Sequence, residues 1–505
     1  MLVASLLGLA LSALYTVFQW RNVYVLVVLV MLAQDPLRKL VPGQPVVFVG
    51  FVAVVFAAGW LGAWLNRVPL RPSVMAGWNR SLALPATLFL MVLAVQSIHS
   101  VARWENPMLP VLGGITYLAP LAAVVFAHQF AVRFGLNGIR RFFVLYVLLS
   151  IPWLLGIVAE SSGQGWPILG EVGEGQIIYS FGLNKRAVAG FYRSAEVAAW
   201  HVGMVSCLLF MLINGRRLPV LKSLAVAAVV LFLLYVGTVT GRRKMLIYVA
   251  VFGVTYVILY ANFLRGKARP AALAALAAVV GFGALLSLGP DPGELAFDLP
   301  SSRFEQQDWT LGQRDERAAW QARALTVFAD IPERFRLLAY RPVAWAVEAH
   351  GWFGAGLGAG AQGAQHFGGG AAHFGGAAEG GLGKITLDLG IPGLVIFLWL
   401  ALAIARELWG RLRALSVTSR PHAMLAFGLA GILVANVATF AVATQVFGDL
   451  FVLILIGSCL GFLIALPTLA WQALWQSQSM TAGMLGAAQP GDGAVGVLPS
   501  PIRLG

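Results

Sequence analysis

The sequence predicts an all-α bundle that crosses a membrane many times, and three observations predict it. Hydrophobic residues fill 59% of the 505 positions and charged residues only 11%, where a soluble domain carries roughly 25% charged residues. Apolar stretches approaching the ~20 residues that a spanning helix needs recur along nearly the whole chain. The lysines and arginines behind the net charge of +14 fall in short connections between those stretches, where such residues set topology or meet anionic lipid headgroups. That placement points to the membrane as partner and away from nucleic acid.

The apolar runs lie near residues 3–19, 22–34, 46–65, 83–98, 110–129, 142–158, 196–213, 219–238, 245–263, 271–288, 385–405, 423–443 and 448–472. The second is short enough for a half-span, so the expectation is roughly 11–13 spans. Residues 1–20 lack a basic leading region and a clear small-residue cleavage site, and read as a retained span rather than a cleaved signal peptide. Cys207 and Cys459 each sit inside an apolar run, which excludes a disulfide framework and a cysteine metal site. No P-loop or dinucleotide glycine fingerprint is present, and the histidines His350, His366 and His373 are scattered through a glycine-rich stretch. Neither a cofactor nor a metal is expected.

Orientation follows from the basic residues. Arg67, Arg71 and Arg80 lie in one connection, Arg133, Arg140 and Arg141 in the next basic one, then Arg216, Arg217 and Lys222, then Arg265, Lys267 and Arg269. Two spans separate each successive pair, so all four share a side, and Arg406, Arg411, Arg413 and Arg420 follow with the same parity. By the positive-inside rule that side is the cytoplasm, and Arg38 and Lys39 then fall outside. The chain divides into an N-terminal transmembrane bundle (1–288), a large outer loop (289–384), C-terminal transmembrane helices (385–475) and a cytoplasmic tail (476–505). The tail is rich in Gly, Pro, Ala and Ser and is expected to be disordered.

Three outer connections carry the chemistry. The loop 159–195 holds Glu160, Glu171, Glu174, Lys185, Arg186 and Arg193, and leads into a span bearing Glu196 and His201. Ionisable residues on a span are functional candidates, although a histidine beside Trp200 also suits the membrane interface. The turn at 239–244 ends Thr240-Gly241-Arg242-Arg243-Lys244, positive charge on the side where it is disfavoured. It reads either as snorkelling from a helix end or as an anion site, because guanidinium forks match phosphate oxygens. Arg186 and Arg193 are candidates for the same anion or for plain solvation. Within the large loop, residues 303–345 have helical spacing, and Arg314, Arg317 and Arg323 recur along amphipathic helices that either lie on the membrane surface or contact phosphate or glycan. The following Gly/Ala-rich stretch, 351–383, reads as a mobile lid or as a close backbone approach to a ligand. Glu379 is the candidate for proton transfer, since partial burial raises a carboxyl pKa toward that of a general base; a helix-start acid is the plainer reading. Lys384 would pair with it, and Asp388 would make a polar contact between helices.

Taken together these residues resemble the O-antigen ligase and O-antigen polymerase superfamily of bacterial inner-membrane glycan transferases. The resemblance covers the number of spans, the short arginine-bearing outer turn, the long outer loop between late spans and the exit from that loop. There Asp388-Leu389-Gly390, followed by Ile391-Pro392-Gly393, matches a family Glu-Leu-Gly context, and Glu379-Gly380 stands where the family often carries His-Asn. Arg317 and Trp320, followed by Gly354 to Gly360, look like the family's Arg, Trp, Gly-rich progression, and the stretch 35–45 looks like the exopolysaccharide branch. Glu379 departs from the histidine expected of many ligases, with His373 six residues upstream, which favours a polymerase-like relative.

The resemblance implies transfer of glycan from an undecaprenyl-pyrophosphate-linked donor on the periplasmic face of the bacterial inner membrane. The acceptor is a sugar hydroxyl on another lipid-linked repeat for a polymerase, or on a lipid or core glycan for a ligase. Arg242 and Arg243 with Glu379 are then the catalytic candidates, and Arg186, Arg193, Lys244, Arg314, Arg317 and Lys384 the substrate-binding ones. Other polysaccharide-assembly proteins are the implied protein partners. A lipid-linked glycan flippase is the competing reading from another class.

Overall fold

The computed structural model describes residues 2–70, 81–172, 177–180, 183–213, 219–242, 244–264, 336–361, 364 and 380–487. It is an all-α polytopic bundle, with nine helices long and apolar enough to cross a membrane among the described residues. The helices are α1 (Leu2–Phe18), α2 (Val23–Leu40), α3 (Phe51–Leu65), α4 (Ala83–Trp104), α5 (Met108–Ser161), α6 (Ala195–Ile213), α7 (Val220–Val239), α8 (Lys244–Phe263), α9 (Arg341–His350), α10 (Gly381–Thr418), α11 (Arg420–Val442) and α12 (Leu450–Ala487). A short antiparallel hairpin, β1 (Ile177–Ser180) and β2 (Leu183–Arg186), decorates the loop before α6; the sequence reading left it as loop.

The apolar runs map onto these helices with two adjustments. The first two runs form a bent pair, α1 and α2, turned by 117° at the break near Gln19, so the half-span is the second arm of a bend. The runs at 110–129 and 142–158 share α5, whose 54 residues would reach about 80 Å at 1.5 Å per residue. That is more than twice a hydrocarbon core of ~30 Å, and Gly135, at φ 66° and ψ −168°, breaks the helix between its two crossings. The run at 271–288 lies outside the described residues. At the far end α12 continues through residues 476–487, so the tail expected to be disordered begins as helix.

The middle of the bundle is α5 against α12. Gly457 and Gly461 of α12 are spaced as a small-xxx-small pair and face Pro120, Ala123, Val124 and Ala127 of α5, where any Cβ would strike the α5 backbone. In lipid, where burial of apolar surface gives no drive between helices, such backbone approach supplies the van der Waals contact. Beside it Tyr24, Phe126, Phe130, Phe142 and Phe462 pack ring on ring, and the Tyr24 hydroxyl donates to Ser458 Oγ at 3.0 Å.

The described residues of the basic connections gather at one end. Arg133 lies over the Trp20 ring, Ser81 reaches Glu407, which pairs with Arg411, and Arg420 donates to the Tyr260 hydroxyl. Arg38, Lys39, Arg193 and Arg242 sit at the opposite end, where the parity of the spans places them.

Candidate functional site

At that opposite end the loop before α6 is fixed by charged side chains from several elements. Lys39, at the end of α2, donates to the carbonyls of Ile168, Gly190 and Tyr192 at 3.2, 2.9 and 2.7 Å. Glu160, at the end of α5, accepts from the N–H groups of Ala189 and Gly190, and Glu171 accepts from Ala195. Asp35 accepts from the Arg193 N–H at 3.0 Å, while the Arg193 guanidinium pairs with Asp449 at 2.8 Å. Asp449 also accepts from the N–H groups of Phe451 and Val452 and so caps α12, since the first N–H groups of a helix have no partner within it. Tyr192 is fully enclosed here, stacked on His201 with ring centroids 4.6 Å apart. Its burial, with the Asp35 carboxylate beside it, pushes the phenol well above its ordinary range. His201 is 1% exposed and shares a hydrogen bond of 2.6 Å with Tyr146, so it is a core residue rather than an interfacial one.

A cleft opens beside this platform. Its enclosed volume is small, ≈ 30 Å³, and it opens to solvent; it is lined by residues of α6, α8, α11, the turn before α8, and the connection from α11 to α12. Arg242 reaches it from the turn, where Gly241 adopts φ 74° and the Arg242 N–H donates to Thr240 Oγ1. Glu196, at the start of α6, faces Arg242 at 3.0 Å. The wall opposite is apolar and aromatic, with Trp200, Met245, Tyr248 and Val446. It is held by a buried chain in which Trp200 Nε1 donates to Asn436 Oδ1 and Asn436 Nδ2 donates to the Tyr248 hydroxyl. One guanidinium at the rim of an apolar wall suits an anionic headgroup on an apolar tail.

A second buried cluster lies along α10. Lys384 and Asp388, 5% and 0% exposed, grip the two sides of one peptide. Lys384 Nζ donates to the Gly360 carbonyl at 3.2 Å, and Asp388 Oδ1 accepts from the Gly360 N–H at 2.8 Å. Asp388 Oδ2 also accepts from the Tyr117 hydroxyl of α5 at 3.0 Å, the interhelix contact expected of it. Gly360 ends a strap, residues 351–361, that threads between α4, α5 and α10. Gln96 donates to the carbonyls of Phe353 and Leu389, Trp104 to that of Ala355, and Ala355 to that of Leu387. The described part of the glycine-rich stretch is therefore a packed segment, not a mobile lid: its glycines let backbone lie on backbone. Gly390, at φ 71°, breaks α10 where the strap crosses it.

The predicted site residues thus fall into five groups. Arg242 lies in the cleft. Arg193 flanks the same α11–α12 connection but is committed to Asp449. Lys384 holds the strap rather than an open site. Arg186 ends β2, opposite Ile177, and Lys244 opens α8; Arg243, Arg314, Arg317 and Glu379 lie outside the described residues. Sequence reasoning passed over Asp449, Asp35, Lys39 and Glu160 as supports. The signal available for them was a lone acid between two apolar runs in Gly448-Asp449-Leu450, and the charged exit of α2 in Asp35-Pro36-Leu37-Arg38-Lys39. Among the described residues, no three His, Cys, Asp or Glu side chains converge as a metal site. No protein-family model matches the chain, and no characterised protein matches it at a meaningful level of similarity.

Proposed function

We propose that this chain is a membrane glycosyltransferase that extends undecaprenyl-pyrophosphate-linked glycan at the outer face of the bacterial inner membrane, acting as a polymerase. The observation that carries the reading is Arg242: a cation at the rim of an apolar cleft, at the end of the bundle opposite the basic connections. In the reaction an acceptor hydroxyl oxygen attacks the anomeric carbon of the donor, and the bond from that carbon to the pyrophosphate oxygen breaks. The hydroxyl proton passes to Glu379, and the charge growing on the leaving pyrophosphate is met by Arg242 and its neighbours Arg243 and Lys244. Arg193 supports this arrangement from outside, by fixing the α11–α12 connection that forms one wall.

The test is to incubate the purified full-length protein with a lipid-linked repeat unit. Longer lipid-linked chains support a polymerase. Transfer only to an added lipid or core acceptor makes it a ligase, and movement across the bilayer without new bonds makes it a flippase. Arg242→Ala and Glu379→Ala are expected to abolish extension while leaving membrane insertion intact; full-length polymer from both would remove the site assignment.

A further inference from the structure

Arg242 is not presented to the cleft as a bare cation. Its Nη2 lies 3.0 Å from Glu196 Oε1, with the two side chains 16% and 7% exposed, and both residues line the cleft. Neither is loosely placed. Glu196 is the second residue of α6, where the positive end of the helix dipole favours a carboxylate. The start of that helix is tied down by Glu171 on the Ala195 N–H and by Arg193 on Asp449. Arg242 rides on a turn held by Thr240 and by Gly241 at positive φ. The remaining lining residues, Ala199, Trp200, Met245, Tyr248, Thr439, Ala443, Gln445 and Val446, carry no charge. An anion entering this cleft meets a guanidinium that is already paired and a carboxylate within hydrogen-bonding distance of it. Like charges this close, away from bulk water, repel strongly.

We propose that Glu196 is the resident counter-anion of Arg242, and that a pyrophosphate-bearing ligand binds by displacing it. This rests on the reading of the cleft as a pyrophosphate site. Glu196 takes no part in bond making. It sets how tightly the cleft holds pyrophosphate, and by returning to Arg242 it drives the leaving pyrophosphate out. The exchange is between two partners for one planar fork, which binds either a carboxylate or a phosphate edge.

The test is equilibrium binding to the full-length protein, with inorganic pyrophosphate and a polyprenyl pyrophosphate as separate probes. Wild type, Glu196→Gln, Glu196→Asp and Arg242→Ala are compared. Glu196→Gln keeps the shape of the side chain and removes the competing charge, so it is expected to bind pyrophosphate about tenfold tighter or more. Glu196→Asp, which keeps the charge but draws it back from Arg242, should fall between, and it carries the test if the glutamine variant does not fold. A gain with both probes supports the proposal, and a gain with the polyprenyl probe alone also supports it and identifies the ligand as lipid-borne. Unchanged or weaker binding in both variants overturns it, because Glu196 would then be supporting Arg242 rather than competing for it. In turnover, Glu196→Gln should lower KM for the lipid-linked donor and kcat together, whereas a merely structural loss would raise KM. If wild type and Arg242→Ala bind both probes alike, the cleft is not a pyrophosphate site, and the underlying reading fails on its own terms.

Discussion

Replacing Gly358 by alanine tests whether the strap is packed as described. Gly358 sits at φ +87°, and a Cβ there would strike the Leu109 carbonyl and come within 3.1 Å of the Gly113 N. These are backbone atoms of α5, so no side chain can swing aside. The left-handed conformation costs an L-residue about 1–2 kcal/mol, and forcing a methyl into a filled contact costs about 1–3 kcal/mol more. The two together place the loss at about 2–5 kcal/mol. Gly351, at φ +75° and ψ −176° with open space around its would-be Cβ, suffers the conformational cost alone, about 1–3 kcal/mol. Gly410, inside α10 with open space and ordinary helical backbone, should gain up to ~1 kcal/mol as alanine. Thermal unfolding of the three variants in one detergent should therefore rank Gly358→Ala lowest, then Gly351→Ala, then wild type, with Gly410→Ala level or higher. A mobile lid would not distinguish Gly358 from Gly351. Equal melting of those two variants would refute the packed strap, however stable both proved to be.

Two further outcomes follow from the same region. Lys384 and Asp388 hold the two sides of the Gly360 peptide, so Lys384→Met or Asp388→Asn each leaves a buried polar group of that peptide without its partner and should destabilise by about 1–3 kcal/mol. Lys384→Met combined with Asp388→Leu should cost less than the two singles added together, read by thermal unfolding as a double-mutant cycle. The second outcome concerns pH. His350 Nδ1 lies 3.1 Å from an Arg103 amino nitrogen, and burial, with that guanidinium beside it, holds the imidazole below its ordinary value. A base whose pKa is depressed by folding binds fewer protons folded than unfolded. Its contribution is thus present above the unfolded value of about 6.5 and is lost as pH falls through it toward the folded value. Hydrogen-exchange protection across residues 351–361, with the intrinsic pH dependence of exchange divided out, should fall between neutral and mildly acidic pH, and His350→Gln, neutral at both, should flatten that change. An identical pH response in the variant would remove His350 from the account.

The membrane class and most of the spans were legible because lipid imposes a one-dimensional requirement: enough consecutive apolar residues to cross, with basic residues biased to one side. That is why the described runs fall on helices and why the described basic residues gather at one end. What a hydropathy profile does not carry is where a helix bends or what it packs against. The break at Gly135 falls in the connection expected between two runs, but the profile does not say that helix continues on both sides of it, and the small-residue pair Gly457 and Gly461 is silent in hydropathy although it sets the α5–α12 approach. The strap was misread in part for a related reason. Glycine and alanine in sequence suggest a chain too poor in side chains to build a core. In the fold they serve because the neighbours are backbone, so the missing side chains are what allows Gly354, Gly356 and Gly358 to fit.

The candidate site was legible to the extent that its residues break the charge rule, and no further. Arg193 and Arg242 look alike in the sequence, each a cation on the outer side next to a span. Their partners separate them, and those partners are distant in sequence or unremarkable in composition. Asp449 is bound by its own helix terminus as well as by Arg193 and is 1% exposed. Freeing Arg193 for a ligand would leave the buried carboxylate that caps α12 without its counter-charge, a cost of several kcal/mol. Glu196 is itself buried, 8% exposed, but it lines the cleft together with Arg242, where a second anion can compete for the same fork. The two ion pairs have similar lengths, 2.8 and 3.0 Å, so distance does not rank them. What does is the cost of opening each one, and by that measure Arg193 belongs to the framework and Arg242 to the site.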